Sequence, residues 1–219
     1  MKENSIKNII QLSFGEEVGN SITHGVMALL CLILLPIVSV KGYLDGGIIQ
    51  SLGISIFIIS IFLMFLISCL YHSMKYKTGQ KTVFRILDHC FIYVAIAGTY
   101  TPIALCVIEG WQGILILILQ WGMVLAGVLY KSIARKSYPT ISLTIYLIMG
   151  WIAILFIPVL LKKASIQLML FILLGGIFYS IGTFFYKKQY EKKYFHMIWH
   201  FFINIGAISH IIGIIFFLN

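Results

Sequence analysis

The 219-residue chain is 60% hydrophobic and 11% charged, with a mean hydropathy of +1.00, a composition that excludes a soluble globular domain and fits an integral membrane protein. Sixteen Lys and Arg against seven Asp and Glu give a formal charge of +9. These cations are scattered between apolar runs rather than gathered on one soluble face, so no nucleic-acid partner is expected.

In chain order, residues 1–21 read as a short cytoplasmic segment mixing Lys2 and Lys7 with Glu3, Glu16 and Glu17, and no small-residue cleavage site follows it. Apolar runs long enough to cross a hydrocarbon core of about 30 Å then occupy 22–40, 48–71, 86–107, 113–130, 139–160, 166–186 and 195–218. The breaks carry turn or charge signals: Lys41-Gly42 with Asp45-Gly46-Gly47, Lys75 to Arg85, Glu109-Gly110, Lys131 to Lys136, Lys162-Lys163 and Lys187 to Lys193. None of these breaks can hold a second domain, so residues 1–219 are expected to form a single all-α bundle of seven transmembrane helices. Pro36, Pro102, Pro139 and Pro158 are expected to start or kink helices. Cys31, Cys69, Cys90 and Cys106 show no paired spacing and read as packed free thiols. Trp111, Trp121, Trp151 and Trp199 lie near span ends and read as interface anchors.

Cytoplasmic loops retain Lys and Arg, so alternate loops can be compared. The N-terminus holds two, Lys75 to Arg85 four, Lys131 to Lys136 three and Lys187 to Lys193 four, thirteen on one side; the opposite loops hold only Lys41, Lys162 and Lys163. This asymmetry predicts a cytoplasmic N-terminus and an external C-terminus.

That orientation sets the depth of the ionisable residues. His72 ends the second span at the inner surface with Ser68 one turn deeper, Asp88 and His89 open the third, and His196 and His200 open the seventh. Glu17, Asn20 and His24, spaced i, i+3 and i+7, lead into the first span on the same side. Only His210 lies elsewhere, about 15 Å beyond His200 at helical rise. Ionisable groups in a membrane are costly and face the bundle interior or a wet cavity, so their shared depth predicts a shared site. His196 and His200 are about 6 Å apart along one helix face. With His72 they would complete a three-histidine catalytic Zn2+ site whose fourth position is left to water. Zinc would bring the pKa of that water to about 7. Asp88 could then accept or orient its proton, and Ser68 could hydrogen-bond the water or a substrate carbonyl. Such a set describes metal-assisted hydrolysis of an amide or ester, and the bilayer makes membrane lipids the natural substrate.

Each element has a plainer reading. His196, His200 and His72 also fit interfacial histidines, Asp88 a partner for Arg85 one turn earlier, and Ser68 a hydroxyl bonded to the carbonyl four residues back. Glu17 with Asn20 fits a helix start, while His24 and His89 fit packing groups or groups supporting the metal ligands. Taken singly these readings are good, but they leave the common depth unexplained.

At these residues the chain resembles the hemolysin III family, the bacterial branch of the progestin and adipoQ receptors, related to alkaline ceramidases. The matching pieces are Glu17-Val18-Gly19-Asn20-Ser21-Ile22-Thr23-His24, Ser68-Cys69-Leu70-Tyr71-His72, Asp88-His89 running into Ala97-Gly98-Thr99-Tyr100-Thr101-Pro102, Met149-Gly150-Trp151, and His196-Met197-Ile198-Trp199-His200. The resemblance implies a seven-helix bundle in the bacterial plasma membrane with an inside N-terminus. It also implies zinc held by His72, His196 and His200, with Ser68 and Asp88 beside the metal-bound water. Bacterial members are associated with haemolysis, so a membrane pore-former or perturbant is the alternative to a lipid hydrolase. A receptor or regulator of membrane state with structural zinc is the third reading. A pore needs a polar path, yet the outer halves of the spans offer few polar groups beyond Asn204, Ser209 and His210. The oligomeric state is left open by the sequence.

Overall fold

The computed structural model describes residues 4–5, 11–133, 136–137 and 139–218. Lys2, Lys7 and Arg135, counted in the charge comparison, lie outside the described residues. The fold is all-α and polytopic, with six helical segments among the described residues long and apolar enough to cross a membrane. The strand pairing among the described residues is a two-residue antiparallel contact of Asn4–Ser5 with Lys136–Ser137.

The first segment, α1 (Phe14–Ser73), is 60 residues long; unbroken it would reach about 90 Å, some three bilayer cores. It breaks at Gly46 (φ −150°, ψ 20°) and Gly47 (φ 70°, ψ −161°), the latter in a region essentially confined to glycine. The arms 14–45 and 48–73 therefore fold back side by side. Ser51 Oγ donates to the Ser39 carbonyl at 2.8 Å near the turn, and the Ser21 and Ser73 hydroxyls meet at 2.7 Å at the other end. The Lys41 ammonium pairs with Asp45 beside the bend. The first arm starts at Phe14 rather than residue 22. Ser13 caps it, accepting from the Glu16 N–H while Glu16 accepts from the Ser13 N–H, and this reciprocal cap extends the helix below the apolar run.

The helix α2 (Gly79–Ile103) is capped by Thr78 and continues through a π-helical turn, Ala104–Ile108, to a sharp stop at Glu109 (φ 58°). Next come α3 (Gly110–Ile133), α4 (Pro139–Trp151), a 3₁₀ turn at Ile152–Phe156 and α5 (Ile157–Lys163). The α4–α5 bend frees backbone groups that neighbouring helices satisfy, as irregular backbone at membrane depth requires. Gln120 Nε2 donates to the Met149 carbonyl at 2.9 Å. Tyr100 Oη donates to the Gly150 carbonyl at 2.7 Å and accepts from the Ala153 N–H at 3.1 Å.

The last two helices, α6 (Ile166–Lys187) and α7 (Phe195–Phe217), form an antiparallel pair. Ser165 Oγ ties the start of α6 to the end of α7 by donating to the Phe217 carbonyl at 2.8 Å. At Gly175 a Cβ would fall 2.3 Å from the His210 ring and 2.9 Å from the Gly206 carbonyl, so glycine sets the closeness of these helices. The helix α2 packs against α1 and α3 and sits at the centre: 67% of its most apolar stretch is buried, against 11% in the 140–163 segment. The peripheral α4–α5 segment thus presents an apolar face outward, as a lipid-facing helix does. The cysteines are free thiols, as expected.

Candidate metal centre

Two helices converge at the end of the bundle where α1 both starts and finishes. His72 comes from the last turn of α1, and His196 and His200 from the first turns of α7. Their ligand nitrogens all lie within 4.8 Å of one another, and all three side chains are buried. The i, i+4 spacing stacks the α7 pair on one face with ring centroids 4.8 Å apart.

The polar neighbours of these rings fix which nitrogen carries the proton. Glu17 Oε2 lies 2.5 Å from His72 Nδ1, and Gln189 Oε1 lies 2.5 Å from His196 Nδ1. Both partners are acceptors, so in each neutral ring Nδ1–H donates and Nε2 keeps its lone pair. Those two Nε2 atoms face each other at 3.3 Å. Two lone pairs at that distance repel unless a cation lies between them. Two ligands at about 2.0–2.1 Å in tetrahedral geometry stand about 3.3–3.4 Å apart, which matches the observed separation. The third ring, His200, is fully buried, its nitrogens make no hydrogen bond, and the Asn20 backbone borders it. The donor set therefore fits a small divalent ion held by three imidazoles.

Asn20 Nδ2 approaches His72 Nδ1 only to 3.5 Å, too long to compete with Glu17 for the same atom. His24 stacks on His200 with centroids 3.7 Å apart and planes at 14°. It therefore supports the cluster through a ring face. His89 points elsewhere: its Nδ1 donates to the Arg85 carbonyl at 2.7 Å and its Nε2 accepts from the Tyr186 hydroxyl at 3.2 Å. It joins α2 to α6 rather than touching a ligand histidine.

Ser68 lies beside the Asp88 carboxylate, and both residues, with His24, line a cavity of about 380 Å³. The rest of its wall is mainly apolar, drawn mostly from α2, α4, α5, α6 and α7, and includes Ile92, Ile96, Leu147, Ile172 and Ile203. Lining residues from Asp88 to Ile103 span about 22 Å of α2 at helical rise. His210 lies far along this cavity, its Nε2 donating to the Ile172 carbonyl at 3.1 Å, apart from the cluster as expected.

Two expectations about tryptophans differ from the structure. Trp199 is buried between Tyr186, His196 and His200 and forms part of the site wall rather than an interface anchor. Trp151 donates to Ser180 Oγ at 3.0 Å and ties α4 to α6. Three polar residues of the site do not stand out in the sequence: Gln189, Lys81 and Tyr76. Gln189 is an uncharged amide inside the Lys187 to Lys193 charge run, its one distinguishing mark. Lys81 counts in the sequence only as a loop cation, yet it is fully buried, with Nζ 2.8 Å from Glu17 Oε1. The Tyr76 hydroxyl donates to the same carboxylate oxygen. Burial, and then the Glu17 hydrogen bond, hold its phenol above the ordinary range, so it stays a donor.

The haemolysin-III-related family model matches residues 12–211. The chain is 35% identical to the Hemolysin-3 homolog of Bacillus subtilis (strain 168) over 202 residues, covering 92% of this chain and 94% of the relative. It is 34% identical to Hemolysin-3 of Bacillus cereus over 203 residues, 92% and 91% of the two chains. A more distant similarity, 27% over 154 residues, reaches the human monocyte to macrophage differentiation factor and covers 67% of this chain and 62% of that protein. The described residues supply the apolar helices and the histidine cluster, and the match runs through nearly the whole chain: this multi-pass membrane protein, of a kind that in bacteria resides in the cell membrane, belongs to the haemolysin-III-related family.

Proposed function

We propose that this protein is a zinc-dependent membrane hydrolase that cleaves an amide or ester bond of a lipid near the cytoplasmic face. The observation carrying this reading is the pair of facing Nε2 lone pairs on His72 and His196, 3.3 Å apart and completed by buried His200, which stacks on His24 in the wall of a long apolar cavity. Zinc bound there supplies a Lewis acid and brings the pKa of a coordinated water to about 7.

The chain's own residues supply the rest. The Asp88 carboxylate receives the proton of the attacking water and returns it to the departing amine or alcohol. Ser68 Oγ–H, beside Asp88, serves to orient that carboxylate. Glu17 and Gln189 hold His72 and His196 with Nε2 turned inward. The apolar walls take an acyl chain and exclude bulk water from the reacting bond.

The α1 bend at Gly46 and Gly47 supports seven crossings, and the thirteen-to-three Lys and Arg asymmetry supports a cytoplasmic N-terminus and external C-terminus. Purified wild type in lipid nanodiscs should release fatty acid from a panel of N-acyl and O-acyl lipids, read by mass spectrometry. Asp88→Asn should lower that rate about 10²–10⁴-fold while keeping its metal. Equal rates in the two proteins would rule out the mechanism.

The relatives' name, Hemolysin-3, favours a second reading, a membrane perturbant. It expects dye release from liposomes that persists unchanged in Asp88→Ala and His200→Ala, whereas the hydrolase reading expects it to disappear with them.

A further inference from the structure

We infer that Lys81 is a positioning residue for the metal centre, acting on His72 through Glu17. This rests on the metal-binding reading of the histidine cluster and extends it to a cation on another helix. A buried ammonium is costly unless its hydrogens are used and its charge is matched, so the partners of Lys81 indicate its purpose. Its side chain is fully buried one turn into α2. The ammonium donates to Glu17 Oε1 at 2.8 Å and to the Met74 carbonyl at 3.0 Å, and lies over the faces of Tyr76 at 4.1 Å and Tyr71 at 4.8 Å.

Glu17 divides its two oxygens between the two groups. Oε1 takes Lys81 and the Tyr76 hydroxyl, while Oε2 takes His72 Nδ1. With Oε1 held by two donors, the carboxylate has one orientation left, and that orientation turns His72 Nε2 toward His196. The Met74 contact also fixes the residue just beyond the end of the helix that carries His72. Lys81 thus joins the start of α1, the end of α1 and the start of α2 around one ligand ring. A lysine that served only to orient the cytoplasmic loops would be exposed, as Lys75 and Lys77 are not buried.

The test is a thermodynamic cycle on metal affinity in the full-length protein, purified in detergent and loaded with cobalt(II), whose visible absorption reports ligand geometry. Lys81→Met should weaken cobalt and zinc binding about 10–100-fold, the range for losing a group that orients a ligand, and should shift or broaden the cobalt bands. Lys81→Arg, which keeps charge and donors, should recover part of the affinity. The combination Lys81→Met with Glu17→Gln should cost no more than Glu17→Gln alone, because the lysine acts through that carboxylate. Additive losses, or a Lys81→Met protein with wild-type affinity and bands, would overturn the inference. Wild type lacking a cobalt spectrum that depends on His196 and His200 would instead overturn the metal reading beneath it. Should Lys81→Met not yield a folded bundle, Lys81→Gln, which keeps a donor without the charge, serves in the same cycle with the same criteria.

Discussion

His200 and His210 occupy the same helix and are both buried, yet of the two only His200 has neighbours with which it could hold a metal. His200 stands within 4.8 Å of two other imidazoles, whereas His210 donates to the Ile172 carbonyl and packs on Tyr179. His200→Ala should therefore lose bound metal and the stability that comes with it. Ligand present at a hundred times its dissociation constant contributes about 2.7 kcal/mol, so a lower melting temperature should accompany the loss, and removing metal from wild type with a chelator should reproduce it. His210→Ala should keep its metal, measured by elemental analysis of the same preparations. Gln189→Ala should weaken metal binding about 10–100-fold without abolishing it, because it frees the His196 ring from its Nδ1 acceptor but leaves the ligand in place. At this scale the sequence is legible where chemistry repeats at helical spacing, as with His196 and His200 or Glu17, Asn20 and His24. It is not legible where a side chain reaches across the fold: Lys81 meets Glu17 over a separation of 64 residues, and nothing local marks that contact. Trp199 departs from its expected place for a related reason, since nearness to a span end does not tell which face of the helix the ring occupies.

Helix ends follow caps and backbone strain more closely than they follow apolar runs. The Ser13–Glu16 capping box carries α1 several residues below its hydrophobic stretch, and this extension brings Glu17 level with His72. The Asp45-Gly46-Gly47 signal locates the break between the arms of α1, because glycine at positive φ is what a tight reversal at that point requires. Gly47→Ala should then cost about 1–3 kcal/mol although a Cβ added there would meet nothing within 4 Å; the penalty is conformational rather than steric. A thermal melt of detergent-solubilised protein that is unchanged by Gly47→Ala would contradict this account of the bend. The α4–α5 irregularity is less legible. Pro158 signals a helix start, but the 3₁₀ turn before it is held by Tyr100, and the end of α4 ahead of the turn by Tyr100 and Gln120, and tertiary hydrogen bonds of that kind leave no periodic trace in the segment they shape.

For the whole molecule, the common depth of His72, Asp88, His196 and His200 is readable because alternating spans fix which ends meet, and the structure brings the three histidines together at one end of the bundle. The cavity is not readable in the same way, since its wall is assembled from single apolar residues on several helices, each ordinary in its own segment. Which face of the membrane this end meets is predicted by charge alone, because the Lys and Arg of short loops dominate the choice of orientation. Reporter fusions after Asn219 and in the loop at Glu109-Gly110, between α2 and α3, test that choice. If the two arms of α1 cross separately from a cytoplasmic start, three crossings precede Glu109-Gly110 and seven precede Asn219, and an odd number of crossings ends outside. Alkaline phosphatase, active only outside the cytoplasm, should then be active at both positions, and a fluorescent protein that folds only inside should be dark at both. A reporter in the Lys131 to Lys136 loop, one crossing further than Glu109-Gly110, should show the reverse pattern. Fluorescence without phosphatase activity at Glu109-Gly110 and after Asn219, with the pattern inverted at Lys131 to Lys136, would reject the cytoplasmic placement of the metal centre. A reporter placed ahead of Phe14 checks the same choice independently: it stays inside with a cytoplasmic start and lies outside if the bundle is inverted.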